Sequence, residues 1–317
     1  MFQTMVEDYL MEKKKEGKSR NTLQTPISAL ELFCDANDMM INWKKIRRML
    51  PPKGKRSGSK AYTTEHVSKM LESTTDLRNK AIVHFLASTG CRIGALPELR
   101  IKHVKNMPDG CKVVTIYPDD REEYFTFLTP EASTVLDNYL EKRQRDGEHL
   151  DPEHPLFRQI YSIGIAKPKP LVKVSIQAIV DRILRRAGLR FGRDGSRRDI
   201  QLDHGFRKRW NTIVKTTDGV KIILAEKMFG HSTPSVPLDE TYLDVSVEKL
   251  FVEFKKVIPE LTVDGTARKQ AELETERTAK DELQKKLDEQ RNTVREQVAD
   301  ILNEKLNEMR ASGYLPK

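Results

Sequence analysis

The sequence predicts a mainly α fold with one small antiparallel sheet, an α+β arrangement. Two observations lead there. Apolar residues recur at three- and four-residue steps along most of the 317 residues. Only the stretch 112–128 concentrates β-branched and aromatic side chains around a polar turn.

The elements follow in order. Phe2, Met5, Val6, Tyr9 and Leu10 share one helical face, as do Ile27, Leu30, Phe33 and Cys34, so residues 1–50 form a helical domain of two or three helices. A basic run then reads Lys44, Lys45, Arg47, Arg48, Lys53, Lys55, Arg56 and Lys60 with no acid among them. Pro51-Pro52, Gly54, Ser57, Gly58 and Ser59 interrupt it, which makes 51–62 a flexible basic linker, and the eight cations are expected to lie along DNA phosphates. A second domain, 63–263, opens at Thr63 or Thr64, either of which suits the cap of a helix bearing Val67, Met70 and Leu71. The next helix, 77–88, places Ala81, Ile82, Phe85 and Leu86 on one face and stops at Gly90. Residues 113–117 and 124–127 pair as a hairpin across Pro118-Asp119-Asp120. Helical spacing resumes at 134–142, 175–187, 207–215, 221–229 and 247–256. From 264 to 317 the chain becomes Glu/Lys/Gln/Arg-rich, with Leu283, Leu287, Val294, Val298, Ile301 and Leu306 marking a face. Leu287, Val294 and Ile301 stand seven apart, the spacing of a coiled-coil seam, although Gln290 and Gln297 occupy other seam positions.

Charge narrows the function. The net charge is +9, and residues 265–317 carry eleven basic and eleven acidic side chains, so the whole excess lies before residue 265. A basic body fits a polyanion, because neutralising phosphates releases condensed counterions. Cys34, Cys91 and Cys111 lie far apart, without the spacing of a zinc site or a disulfide framework, and read as reduced thiols of a cytoplasmic protein. No run approaches the roughly 20 apolar residues that span a bilayer, so no membrane partner is expected.

The chemistry-bearing residues fall into a few fragments. Breaking a phosphodiester without a metal requires cationic donors around the non-bridging oxygens, and a guanidinium serves best because its planar fork grips phosphate while staying charged. Arg92 lies in Thr89-Gly90-Cys91-Arg92-Ile93-Gly94, just past a helix-ending glycine and at the start of a further short helix whose free N–H groups favour an anion. His204 and Arg207, three apart in His204-Gly205-Phe206-Arg207, share a helix face that Asp203 is placed to cap. His231 follows in Phe229-Gly230-His231-Ser232, and Tyr242 comes eleven residues later. Each fragment alone is weak, since a lone His-x-x-Arg is most often a surface pair and a lone tyrosine a packed side chain.

In this order the fragments resemble the tyrosine recombinase, or phage integrase, family, over residues 60–260. The segment from Tyr242-Leu243-Asp244 to Leu261-Thr262 is similar to archaeal integrases of viruses and plasmids. The resemblance implies the recombinase catalytic fold, with Arg92 and Arg207 holding the scissile phosphate, His204 and His231 bonding to it or moving the tyrosine proton, and Tyr242 as nucleophile. It implies a 3′-phosphotyrosyl intermediate and a free 5′-hydroxyl, no metal and no cofactor, double-stranded attachment-site DNA as partner, and assembly on DNA as a dimer or tetramer. The family places a general-acid lysine on the hairpin; here that position holds Arg121, a poor proton donor, while Lys112 stands at the base of the first strand as the alternative acid. The interval from His231 to Tyr242 is longer than typical and holds Pro234 and Pro237, leaving open whether the tyrosine serves its own site or a neighbour's. The competing reading is a DNA-binding accessory factor on a catalytically decayed integrase fold.

Overall fold

The computed structural model describes residues 2–53, 60–162, 164, 167–189, 193–194, 197–198, 200–202, 204–231 and 245–264, and beyond these only part of the stretch 265–298. The chain divides into two compact units, Met1–Gly58 and Ser59–Lys317.

The first unit is three helices, α1 (Phe2–Lys15), α2 (Arg20–Ala36) and α3 (Trp43–Met49). Side-chain oxygens hold two starts: Ser19 accepts from Thr22 N at 3.3 Å and Asn42 from Lys45 N at 3.0 Å. Val6, Leu10, Leu23, Ile27, Ile46 and Leu50 meet in one core. Met5 and Phe33, expected on the inner faces, are 61% and 52% exposed. Each directly precedes a buried residue, Val6 or Cys34, and one residue turns a helix by about 100°, enough to leave a narrow stripe.

The basic run begins on α3 rather than in the linker. Lys44, Lys45, Arg47 and Arg48 are all helical, and Lys45 bonds Glu7 at 2.8 Å while Arg47 pairs with Glu31, so two of the four cations fasten α3 within its own unit. Lys53 and Lys60 are exposed in irregular backbone. Lys55 and Arg56 lie outside the described residues.

In the second unit α4 (Thr64–Glu72) starts at Thr63, which accepts from His66 N while its own N–H donates to His66 Nδ1, both at 3.2 Å. Helix α5 (Leu77–Thr89) is buried at every residue from Ala81 to Thr89. A helix wrapped in this way is a central one, and α5 packs on α6 (Pro130–Arg145) and α8 (His204–Thr216). The expected hairpin is β2 (Lys112–Ile116) paired antiparallel with β3 (Tyr124–Leu128), in register from Lys112 opposite Leu128 to Ile116 opposite Tyr124. A third strand, β1 (Val104–Asn106), joins the edge of β2. Three residues are too few to show a period of two, so sequence gave no sign of it. The α6 start is four residues earlier than expected because Thr129 accepts from Ala132 N and Pro130 takes the first helical position.

Further helices are α7 (Lys173–Arg186), α9 (Ile222–Met228) and Val247–Lys255, each within two residues of expectation at either end, followed by the one-turn helix Ile258–Leu261, and a two-residue pair joins Arg193–Asp194 to Arg197–Arg198. One core gathers α4, α5, the inner face of α7 and Phe206; another gathers Trp210, α9, the outer face of the hairpin and the helix Val247–Lys255. Arg143 and Arg158 both bond to buried Glu148, and Arg143 also donates to the carbonyls of Pro155 and Leu156 at 2.9 and 3.0 Å, which ties the loop after α6 to that helix. Every described residue from 265 to 298 is helical, with Leu283, Leu287, Val294 and Val298 open to solvent; Ile301 and Leu306 lie outside the described residues. Among the described residues no helix is long and apolar enough to cross a membrane.

Candidate active site

The site is assembled where α5 ends and α8 begins. Gly90 terminates α5 with φ +59°, and a Cβ there would stand 2.6 Å from Trp210 Cβ, so both backbone hand and space demand glycine. Two residues on, Arg92 is the capping residue of a short 3-10 helix, Ile93–Glu98, rather than of an α-helix. Pro97 sits inside that helix, past its first turn. On α8, Gly205 lies against Tyr62, where a Cβ would meet the ring at 2.4 Å; Tyr62 N donates to Gly205 O, and the ring packs on Phe206. This contact seats the first turn of α8, from which His204 and Arg207 project. Asp203 is outside the described residues.

Arg207 joins three distant segments. It is 9% exposed, donates Nη1–H to Gly90 O at 3.0 Å and Nη2–H to Phe229 O at 2.9 Å, and its guanidinium carbon stands 3.6 Å from the centre of the Phe229 ring. Burial pulls its pKa below the usual arginine value, and Arg92 nearby adds to this. A guanidinium has five N–H donors, so these two carbonyls leave others for a ligand. Phe229 stacks on Trp210 with ring centres 5.0 Å apart.

His231 follows Gly230, whose positive φ and contact with Tyr124 again require glycine: a Cβ would fall 2.4 Å from that ring. His231 Nδ1 is 2.7 Å from Glu226 Oε2, and Glu226 also pairs with Lys215. Burial lowers the His231 pKa; the Glu226 carboxylate opposes this and Arg207 reinforces it. With Nδ1 engaged by a carboxylate, Nε2 is left to exchange a proton elsewhere.

A cavity of about 180 Å³ opens among Cys91, Arg92, Ile93, Gly94, Tyr117, Lys173, His204 and Arg207. Two guanidiniums, an imidazole and an ammonium therefore line one recess, a setting suited to a phosphate. Arg92, itself exposed, is 3.5 Å from Glu122 in an exposed ion pair that a phosphate would displace at small cost.

Of the sequence-derived site residues, Arg92, His204 and Arg207 share this recess, and His231 adjoins Arg207 through Phe229. Tyr242 lies outside the described residues. Neither candidate acid lines the recess. Arg121 is exposed in the hairpin turn. Lys112 donates to Asn106 Oδ1 at 2.7 Å and pairs with Asp137 at 3.1 Å. Four strand residues separate it from Tyr117 at the cavity wall, about 16 Å along the chain. Sequence reasoning passed over Lys173, Tyr117 and Glu226. The first had a visible signal, a cation two residues before an expected helix; the other two are recognisable only once the chain is folded. Tyr124 is deeply buried, and burial raises its phenol well above the ordinary tyrosine value, so it keeps its proton.

The model of the phage integrase family matches residues 60–248. The chain belongs to the phage integrase family. It is 24% identical over 218 residues to tyrosine recombinase XerC of Lactobacillus delbrueckii subsp. bulgaricus and 23% identical to that of Lactobacillus leichmannii, in each case over 65% of both chains. The match thus spans somewhat under two thirds of these relatives' length. Among solved structures, XerH site-specific recombinase bound to palindromic difH substrate in a post-cleavage complex is similar at TM-score 0.54 and 20% identity, covering 76% of this chain and 69% of that one. Tn1549 transposon integrase with a circular intermediate DNA is similar at TM-score 0.53 and 12% identity, covering 80% and 84%. At such identities the likeness is one of fold, and it extends the integrase architecture over the helical body and its three-stranded sheet.

Proposed function

We propose that this integrase-family chain is a site-specific DNA recombinase that cleaves and rejoins double-stranded DNA through a covalent bond between Tyr242 and a 3′-phosphate. The observation that carries the reading is the shared recess: Arg92 and Arg207, more than a hundred residues apart, face the same 180 Å³ space beside His204. In the reaction, Arg92 and Arg207 hold the two non-bridging oxygens and offset the charge that builds on them at the transition state. His204 or His231 accepts the phenol proton as Tyr242 attacks phosphorus, and the phosphotyrosine conserves the bond for attack by another strand's 5′-hydroxyl. The cations at Lys53, Lys55, Arg56 and Lys60, together with Lys44, Lys45, Arg47 and Arg48, add sequence-independent affinity for the duplex. The likeness of the segment after Tyr242 to archaeal integrases supports a role in integrating or excising an archaeal mobile element, inside the cell that hosts it.

The test is a nicked suicide duplex from which the 5′ fragment diffuses away after cleavage. The unaltered chain should yield a protein–DNA adduct that survives a denaturing gel and maps to Tyr242, and Tyr242→Phe should yield none. An adduct that persists in Tyr242→Phe, or maps to Tyr117 at the cavity wall, would overturn the assignment. Specific binding with no adduct at all would favour the accessory-factor reading.

A further inference from the structure

We propose that Lys173 is the general acid of this site, giving its proton to the 5′-oxygen that leaves as Tyr242 bonds to phosphorus. The inference rests on the recombinase reading above and supplies the group that neither hairpin candidate provides. Cleavage needs two proton movements. The phenol proton goes to a histidine; the breaking P–O bond leaves its electron pair on the 5′-oxygen, which must take a proton from elsewhere to depart as a hydroxyl. A histidine that is accepting the first proton cannot donate the second at the same moment, and a guanidinium is a poor donor near neutral pH. A second imidazole is largely neutral near pH 7, whereas an ammonium carries its proton there, and among the described residues Lys173 supplies the lysine ammonium that lines the recess with Arg92, His204 and Arg207.

Its placement is built into the fold. Lys173 is the first residue of α7. Leu171 just before it is buried and donates N–H to Phe157 O at 2.9 Å, while Ile176 and Val180 sink into the core and α7 packs on the 3-10 helix that Arg92 caps. The lysine and Arg92 are thus held by one packed pair of elements. Among the described residues the Lys173 ammonium has no ion pair and no hydrogen bond, in contrast with Lys112, which Asn106 and Asp137 both engage. Val172 caps α7 without a side-chain bond, so the helix opens with a cation where its dipole favours an anion, an arrangement that a phosphate in the recess would offset.

The experiment compares two suicide duplexes that differ only at the scissile bridge, one with the natural 5′-oxygen and one with sulfur. A thiolate leaves without being protonated, so loss of the general acid matters only for oxygen. Lys173→Ala should slow adduct formation about a hundredfold on the oxygen substrate, within the range of a lost acid catalyst, and leave the sulfur substrate within about threefold of the unaltered chain. Lys173 is exposed, so the variant is expected to fold, and a melting temperature near that of the unaltered chain checks this. Equal loss on both substrates makes Lys173 a phosphate-binding group and overturns the acid role, as does sulfur rescue confined to Arg121→Ala or Lys112→Ala. Absence of an adduct from the unaltered chain on both duplexes would instead remove the recombinase reading itself, and the acid with it.

Discussion

At the scale of single residues, burial decides more than identity does. His84 sits on α5 with 7% of its surface exposed, and burial pushes its pKa down to about 4, with Lys80 adding to the shift. The unfolded chain takes a proton there near pH 6.5; the folded chain refuses it until about pH 4. A depressed folded-state value means stability is intact above pH 6.5 and is lost as pH falls toward 4, by up to about 3 kcal/mol. Urea titrations at pH 7 and at pH 4.5 should show that His84→Leu escapes this part of the acid loss; an identical decline in both proteins would refute it. The same lesson applies to legibility. Arg207 was readable from its place after His204, because a histidine and an arginine three apart must share a helix face. Arg209, two residues further on, gave no such sign, yet it is the more deeply buried of the two.

Among elements, Arg209 fastens α8 to its neighbours. Its guanidinium reaches Ala87 O on α5, Thr64 Oγ1 at the start of α4, and the carbonyls of Glu260 and Leu261 in the one-turn helix Ile258–Leu261. Burial lowers its pKa to about 10, so it remains charged under ordinary conditions. Arg209→Met should cost about 3 kcal/mol in urea unfolding, since it strands several buried oxygens. A loss under about 1 kcal/mol would show that water replaces these bonds. Element type was legible wherever a period had room to repeat: α4 to α9 and the hairpin follow the spacing of their apolar residues. What escaped was short or wholly interior. Strand β1 has three residues, and the segment after Arg92 tightened into a 3-10 helix that its Gly94 and Pro97 make no effort to resist. Helix α5 is buried on every side, so the single face assigned to it from sequence understated its centrality.

For the molecule as a whole, the integrase body and the stretch after residue 264 differ in kind. The body holds the core and the excess positive charge; the sequence from 265 to 317 is charge-balanced, and its described residues, up to 298, are helical and fringed by the exposed Leu283, Leu287, Val294 and Val298. A stripe of that sort gains stability by packing against a copy of itself. Truncation after residue 264 should therefore leave the melting temperature of the body nearly unchanged while weakening assembly into dimers or tetramers on DNA, as measured by sedimentation with attachment-site duplex. Unchanged assembly would dismiss the tail as the joining element. The bonds of Arg207 carry a last consequence. Because one guanidinium is held at once by the end of α5 and the residue after α9, Arg207 takes up its place in the recess only when the final third of the domain closes on the first. On the recombinase reading proposed above, a chain still emerging from the ribosome, or one cut short before Phe229, lacks this anchor of Arg207 as well as Tyr242 and is expected to leave DNA uncut.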